Sequence, residues 1–183
     1  MDVKKMYVSW DQVNQWVYDI AMDMYSSNFR PNYIVGITRG GLVPATLLSH
    51  KTGIHMHTLD VRLRDTGDTA IPESNTWMAE DAFGYNDPST TGITGTRWVP
   101  GLRKKILIID DINDTGSTLQ WIRDDWQSSC YSDQQHAWDS VWFNTVKFAA
   151  LINNDSSEHD INYYGKSINK EEEDVWVVYP WEV

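Results

Sequence analysis

The chain has 183 residues and a formal charge of −11, with 26 acidic against 15 basic side chains. That length supports one domain with a real core, and that charge argues against a nucleic-acid groove or an anionic membrane surface as partner. Cys130 is the only cysteine, which excludes an internal disulfide and a cysteine-based zinc site and fits a reducing cytoplasm. No apolar run approaches the roughly 20 residues of a membrane span, and Met1-Asp2-Val3-Lys4-Lys5 does not open a signal-peptide core.

Ser9 followed by Gln12 is a capping-box pattern, and Val13, Trp16, Val17, Ile20, Ala21 and Met24 recur at helical spacing. An amphipathic helix over about 9–27 is predicted. Tyr33–Ile37 reads as a short apolar strand. Behind it, Thr38-Arg39-Gly40-Gly41 makes a candidate anion site, because paired glycines allow unusual backbone angles and Arg39 carries a permanent charge. A helix with Pro44 in its first turn should then run to about Gly53. His55–Val61 alternates like a strand and puts His55 and His57 on one face, but no third metal ligand is evident beyond nearby His50. From Asp65 to Thr96 the chain is rich in Thr, Gly, Asp, Asn, Pro and Ser, which predicts a long loop.

The most informative stretch is Ile106–Thr118, reading Ile-Leu-Ile-Ile-Asp-Asp-Ile-Asn-Asp-Thr-Gly-Ser-Thr. Four successive branched apolar residues predict a strand covered on both faces, as in the middle of a parallel sheet. Asp110 and Asp111 stand where that strand is expected to end. Asp114 follows, then Thr115-Gly116-Ser117-Thr118, then the apolar positions Leu119 and Ile122 of a helix. A strand, an acidic turn and a small-residue loop at a helix N-terminus aim backbone N–H groups at an anion. The two acids lie where open α/β sheets bind ligands, and can accept hydrogen bonds from vicinal sugar hydroxyls or share a hard cation such as Mg²⁺. Phosphate, diol and metal on one turn describe a phosphorylated ribose.

Further along, Asp124–Ser140 reads as a polar insertion studded with Trp126, Tyr131 and Trp138, a candidate subunit contact. Most of the ten tryptophans should be core or interface. Thr145–Ile152 is the next predicted strand. Tyr163–Ile168 and Val175–Tyr179 are two short strands separated by Lys170–Asp174, read as a solvated charge run. The fold class is α/β, with a central, mainly parallel sheet flanked by helices. Residues 1–183 are expected to form a single domain, with a lid or insertion at about 62–103 and a small C-terminal hood at about 156–183.

Ile106–Thr118 resembles the phosphoribosyl-pyrophosphate binding motif of type I phosphoribosyltransferases. Tyr7–Asp11, Arg39–Pro44, Ile109–Asp111, Asp114–Gly116 and Val175–Glu182 also occur in the order expected of the xanthine-guanine branch of that family. The resemblance breaks down over Arg62–Arg103 and Asp125–Val141. It implies the type I fold with a mobile lid, and transfer of 5-phosphoribosyl from phosphoribosyl pyrophosphate to a purine base such as guanine, xanthine or hypoxanthine. Asp110 and Asp111 would hold the ribose and Asp111 also Mg²⁺. Asp114, Thr115, Gly116, Ser117 and Thr118 would hold the 5-phosphate, with Asp114 as general base. Thr38, Arg39 and Gly40 would form the pyrophosphate loop, which in the family often holds a cis peptide. Trp176 would stack on the purine, Val177 would meet its edge through backbone groups, and the C-terminal strands would cover it. A cytoplasmic homodimer or homotetramer is the implied assembly.

Two departures stand out. Asn153 occupies the place where relatives using 6-oxopurines carry a lysine for the C6 oxygen, with Lys147 or Lys166 as possible substitutes. Arg62-Leu63-Arg64 stands near the place of the lid's usual Ser-Tyr pair. The alternative functions are a catalytically weak regulatory or nucleotide-sensing relative, and an α/β binding module without phosphoribosyl chemistry.

Overall fold

The computed structural model describes residues 3–61, 75–130 and 135–182. A five-stranded parallel sheet runs through the centre in the order β3-β2-β4-β5-β6. Its strands are β2 (Tyr33–Thr38), β3 (Met56–Asp60), β4 (Ile106–Asn113), β5 (Val146–Asn154) and β6 (Tyr163–Ile168). β4 is the middle strand, as its apolar run predicts, and Ile106 to Ile109 are all fully buried. The run serves two cores. Ile106 and Ile108 face one hydrophobic cluster and Leu107 and Ile109 face the other, as strand alternation requires. Each such side chain contributes roughly 1.5–3 kcal/mol by burial.

One face is covered by α1 (Trp10–Ser26) and α2 (Leu42–Thr52). The capping box forms as expected, Gln12 N–H donating to Ser9 Oγ at 3.2 Å and Ser9 N–H to Gln12 Oε1 at 2.9 Å. The predicted stripe from Val13 to Met24 is buried, and Gly53 ends α2 in the left-handed conformation. The opposite face is covered by α3 (Thr76–Phe83), α5 (Ser117–Ser129) and α6 (Gln135–Trp138). A short α4 (Pro88–Thr91) lies in the connection that follows α3.

Several expectations change here. β4 does not end at the acids but continues to Asn113. β2 stops pairing at Ile109, whereas β5 follows β4 on to Asn113↔Asn153. The acids therefore lie beyond the end of one neighbour while still laddered to the other.

The stretch from Asp65 to Thr96 is not one long loop. Among its described residues, α3 places Met78, Ala79, Ala82 and Phe83 in the core, and fully buried Asn86 organises the turn after it by donating to Ile93 and Thr96 carbonyls. Arg62–Arg64, and with them any lid role, lie outside the described residues.

The supposed insertion is not a subunit contact at its tryptophans. Trp126 and Trp138 are fully buried in the chain's own core, and α5 extends to Ser129; Tyr131 lies outside the described residues.

The C-terminal strands do not form a hood together. β6 joins the main sheet beside β5, while β7 (Val175–Val178) pairs in parallel with an unanticipated β1 (Lys4–Tyr7) in a separate two-stranded sheet. Tyr7, Trp10 and Trp176 remain exposed there.

Candidate active site

The C-terminal end of β4, the turn Asp114–Gly116 and the start of α5 enclose a cleft of about 230 Å³. Asp110, Asp111, Asp114, Thr115, Gly116, Ser117 and Thr118 all line it, so the structure brings the whole predicted ribose-phosphate set together. Ala149, Ala150 and Ile161 also line it.

Gly116 occupies the N-cap position of α5 with φ +88°, a region that L side chains rarely adopt. It has no side chain to cap the helix, and although Ser117 N–H donates to Thr115 Oγ1 at 3.3 Å, such an uncapped N-terminus suits an external anion. Thr115 Oγ1 and Ser117 Oγ lie 2.7 Å apart at the same mouth. The segment Ser157–His159 packs behind the turn, with Glu158 N–H donating to the Thr115 carbonyl at 3.2 Å.

The acid pair is electrostatically costly. Burial holds the Asp110 carboxyl well above the usual carboxylate range, and the charge of Asp111 adds to this. Asp111 is also raised, chiefly by burial, with Glu182 contributing. Asp110 Oδ1 and Asp111 Oδ1 each accept the backbone N–H of the next residue, both at 2.9 Å. Two crowded carboxylates with raised pKa suit a site completed by a cation and a polar ligand. Among the described residues no group of three or more His, Cys, Asp or Glu side chains is placed to hold a metal by itself.

The second predicted anion loop abuts this pair. A Cβ placed on Gly40 would collide with the Asp111 carboxylate, and one on Gly41 would stand 2.6 Å from the Ile109 carbonyl. Only glycine allows that approach. The Thr38–Arg39 peptide is cis, Thr38 Oγ1 donates to Asp60 Oδ1 at 2.9 Å, and Arg39 is exposed. Thr38, Arg39 and Gly40 are not part of the cleft lining and join it through Asp111.

The predicted base-contacting residues are more dispersed. Trp176 is 61% exposed on β7, while Val177 on the same strand is partly buried against the α1–α2 core. Asn153 is engaged away from the cleft: its Oδ1 accepts from Asn113 at 2.9 Å and its amide donates to Asp155 at 3.2 Å. None of the three lines the cleft.

Four residues around the site escaped the sequence reading. Tyr179 hydroxyl donates to the Asp111 carbonyl at 2.7 Å, and Tyr179 N–H donates to Glu182, tying the C-terminal tail to the acids. Asn113 and Asn154 are buried amides that bind neighbouring loops together. Lys170 Nζ pairs with Asp114 Oδ2 at 2.9 Å and so is not a solvated charge. Its only sequence signal is that it is the single cation heading Lys-Glu-Glu-Glu-Asp.

Comparison with known proteins agrees with this geometry. The phosphoribosyl transferase domain family matches residues 5–183, and the chain belongs to that family. A xanthine-guanine phosphoribosyltransferase of Cereibacter sphaeroides is 27% identical, over 98% of this chain and 88% of its own. Xanthine phosphoribosyltransferase 1 of Saccharomyces cerevisiae is 22% identical over 98% and 90%. In fold, the chain is similar to a purine phosphoribosyltransferase from Pyrococcus horikoshii, with TM-score 0.63, 24% identity and coverage of 99% and 95%.

Proposed function

We propose that the protein transfers the 5-phosphoribosyl group of phosphoribosyl pyrophosphate to a 6-oxopurine base, releasing pyrophosphate, as in purine salvage. The observation that carries this reading is one continuous cleft in which an acid pair, a glycine-opened helix N-terminus and a third acid follow one another on β4 and its turn. Family membership and the names of the relatives support it.

In this reading Asp110 and Asp111 accept hydrogen bonds from the two ribose hydroxyls. Thr115–Thr118 hold the 5-phosphate on backbone N–H groups and hydroxyls, fixing the sugar for in-line attack. Thr38, Arg39 and Gly40 receive the pyrophosphate. The bond from the anomeric carbon to pyrophosphate oxygen breaks, the electron pair leaving with pyrophosphate. A purine ring nitrogen supplies the new pair to carbon, and Asp114 accepts the ring proton that attack releases. Trp176 offers an exposed aromatic face for the purine and Val177 backbone groups for its edge.

The raised, crowded acid pair fits Mg²⁺, which Asp111 would hold. When bound, the ion supplies charge neutralisation for the departing pyrophosphate. The reading carries with it a cytoplasmic homodimer or homotetramer; no helix among the described residues is long and apolar enough to cross a membrane.

The test is pyrophosphate release from phosphoribosyl pyrophosphate and Mg²⁺ with guanine, xanthine, hypoxanthine, adenine and pyrimidines in turn. Release with a 6-oxopurine is expected. Tight phosphoribosyl-pyrophosphate binding without release for any base would point instead to a nucleotide-sensing relative.

A further inference from the structure

Lys170 heads the turn between β6 and β7, and the turn is fastened to the loop that carries Asp114. Lys170 N–H donates to Asn154 Oδ1 at 3.0 Å, and Asn154 Nδ2 donates to the Asp114 carbonyl at 2.9 Å. Asn154 is only 5% exposed, so a single buried amide bridges the two segments. The Lys170 side chain is 20% exposed, against 64% for Lys4 in its surface ion pair. Holding a lysine that still sacrifices rotamer freedom, and here it sets an ammonium beside a cleft carboxylate.

Among the described residues, neither of the other candidate lysines pairs with a cleft acid as Lys170 does. Lys147 pairs with Leu107, toward the opposite end of the parallel strands from the acids, and donates to Tyr163 hydroxyl at 3.2 Å. Lys166 is exposed on edge strand β6. Asn153 has its amide occupied by Asn113 and Asp155.

An acceptor and a donor side by side match one particular edge of a base. When the nitrogen of the five-membered ring that attacks is unprotonated, the other ring nitrogen carries N–H, and a 6-oxopurine presents that donor next to its exocyclic oxygen. Asp114 Oδ1 retains only a 3.5 Å contact with Asn154 among the described residues, so it is placed to take the ring N–H. An ammonium has three donors, so Lys170 can serve Asp114 Oδ2 and a second acceptor together. A 6-amino group would meet that ammonium donor to donor.

We infer that Lys170, from the β6–β7 turn, is the specificity-determining residue that donates to the exocyclic oxygen of the purine, with Asp114 taking the adjacent ring N–H. This rests on the proposed phosphoribosyl transfer to a base. It explains how a chain with Asn153 in place of a lysine keeps a cation for that oxygen.

The test compares wild type with Lys170→Met and Lys170→Gln, measuring kcat/KM for hypoxanthine, for unsubstituted purine, which lacks the oxygen, and for adenine. Whatever a variant does to all bases alike cancels in the ratio of hypoxanthine to purine. That ratio should fall about 10- to 100-fold in Lys170→Met, the range for a charged hydrogen bond, and less in Lys170→Gln, which keeps a neutral donor. Discrimination against adenine should weaken in parallel, and calorimetry should show phosphoribosyl-pyrophosphate affinity retained. An unchanged ratio in both variants, with kcat lowered equally for all bases, overturns the inference and leaves Lys170 orienting Asp114. Should Lys170→Met fail to fold, the ratio in Lys170→Gln decides. Wild-type inactivity on every 6-oxopurine overturns the parent reading and this inference together, whereas active wild type with unchanged selectivity overturns this inference alone.

Discussion

At the residue scale, the three acids of the cleft differ by where the backbone puts them. Asp110 is desolvated on the strand, whereas Asp114 lies on the turn with its side chain partly open and paired to Lys170. Asp114→Asn should therefore keep phosphoribosyl-pyrophosphate affinity and lower kcat by about 10²–10⁴-fold, the range for general acid–base catalysis. Near-normal turnover in that variant would remove Asp114 as the base. Asp110→Asn should trade activity for stability. The folded Asp110 carboxyl titrates above its ordinary value of 3.8, so below that pH both states are protonated and the folded state bears no extra cost. As pH rises through the folded pKa, the folded state must hold a buried charge and that relative stability is lost. The ligand-free variant should be more stable than wild type at pH 8, with the gap closing near pH 4. Thermal denaturation across that range checks it, and a pH-independent gap would contradict the assigned cause.

At the scale of elements, the β4–α5 junction is where strand, turn and helix have to agree. Gly116 turns the chain with a positive φ, and a Cβ there would also meet His159 Cδ2 at 2.8 Å and His159 N at 3.0 Å. Gly116→Val should therefore do two things. It should abolish measurable phosphoribosyl-pyrophosphate binding by calorimetry, because the branches block backbone approach. It should also cost about 1–3 kcal/mol in denaturant unfolding, from backbone strain and displacement of the Ser157–His159 segment. Undiminished affinity in a folded variant would rule out the phosphate cradle.

At the scale of the whole molecule, the sheet separates two cores, and the α3–α5–α6 side holds most of the aromatic mass. Trp126, Trp138, Trp142 and Phe148 form a chain of ring contacts there, Trp138 and Trp142 stacking at 5.3 Å. Cys130 is buried in the same core, and burial, with Glu80 nearby, pushes its thiol up to about 12. A raised folded pKa means its contribution to stability is complete below the ordinary value of 9.0 and is lost as pH rises from there to about 12. Native protein should resist iodoacetamide at pH 8 and react only once unfolded. Rapid stoichiometric labelling of the native state, measured by mass spectrometry, would contradict this burial.

The sequence by itself determined the parts whose physics is local. Ser9 and Gln12 capped the helix they announced, four branched residues became the middle strand, and Gly116 took the positive φ that its loop needs. Asp110, Asp111, Asp114 and Thr115–Thr118 share one cleft because they are neighbours along the chain, so their convergence needs no long-range packing. What only the tertiary structure decided depends on pairings between distant segments. Polar composition hid α3, whose buried face has just four residues. The end of β4 was set by β5, which ladders past the acids after β2 has stopped. β7 found β1 rather than β6, because edge pairing depends on which strands the helices leave adjacent. Lys170 illustrates the same limit at a single side chain. Among four acids it reads as solvated, and only a buried amide 16 residues before it, Asn154, delivers its ammonium to Asp114.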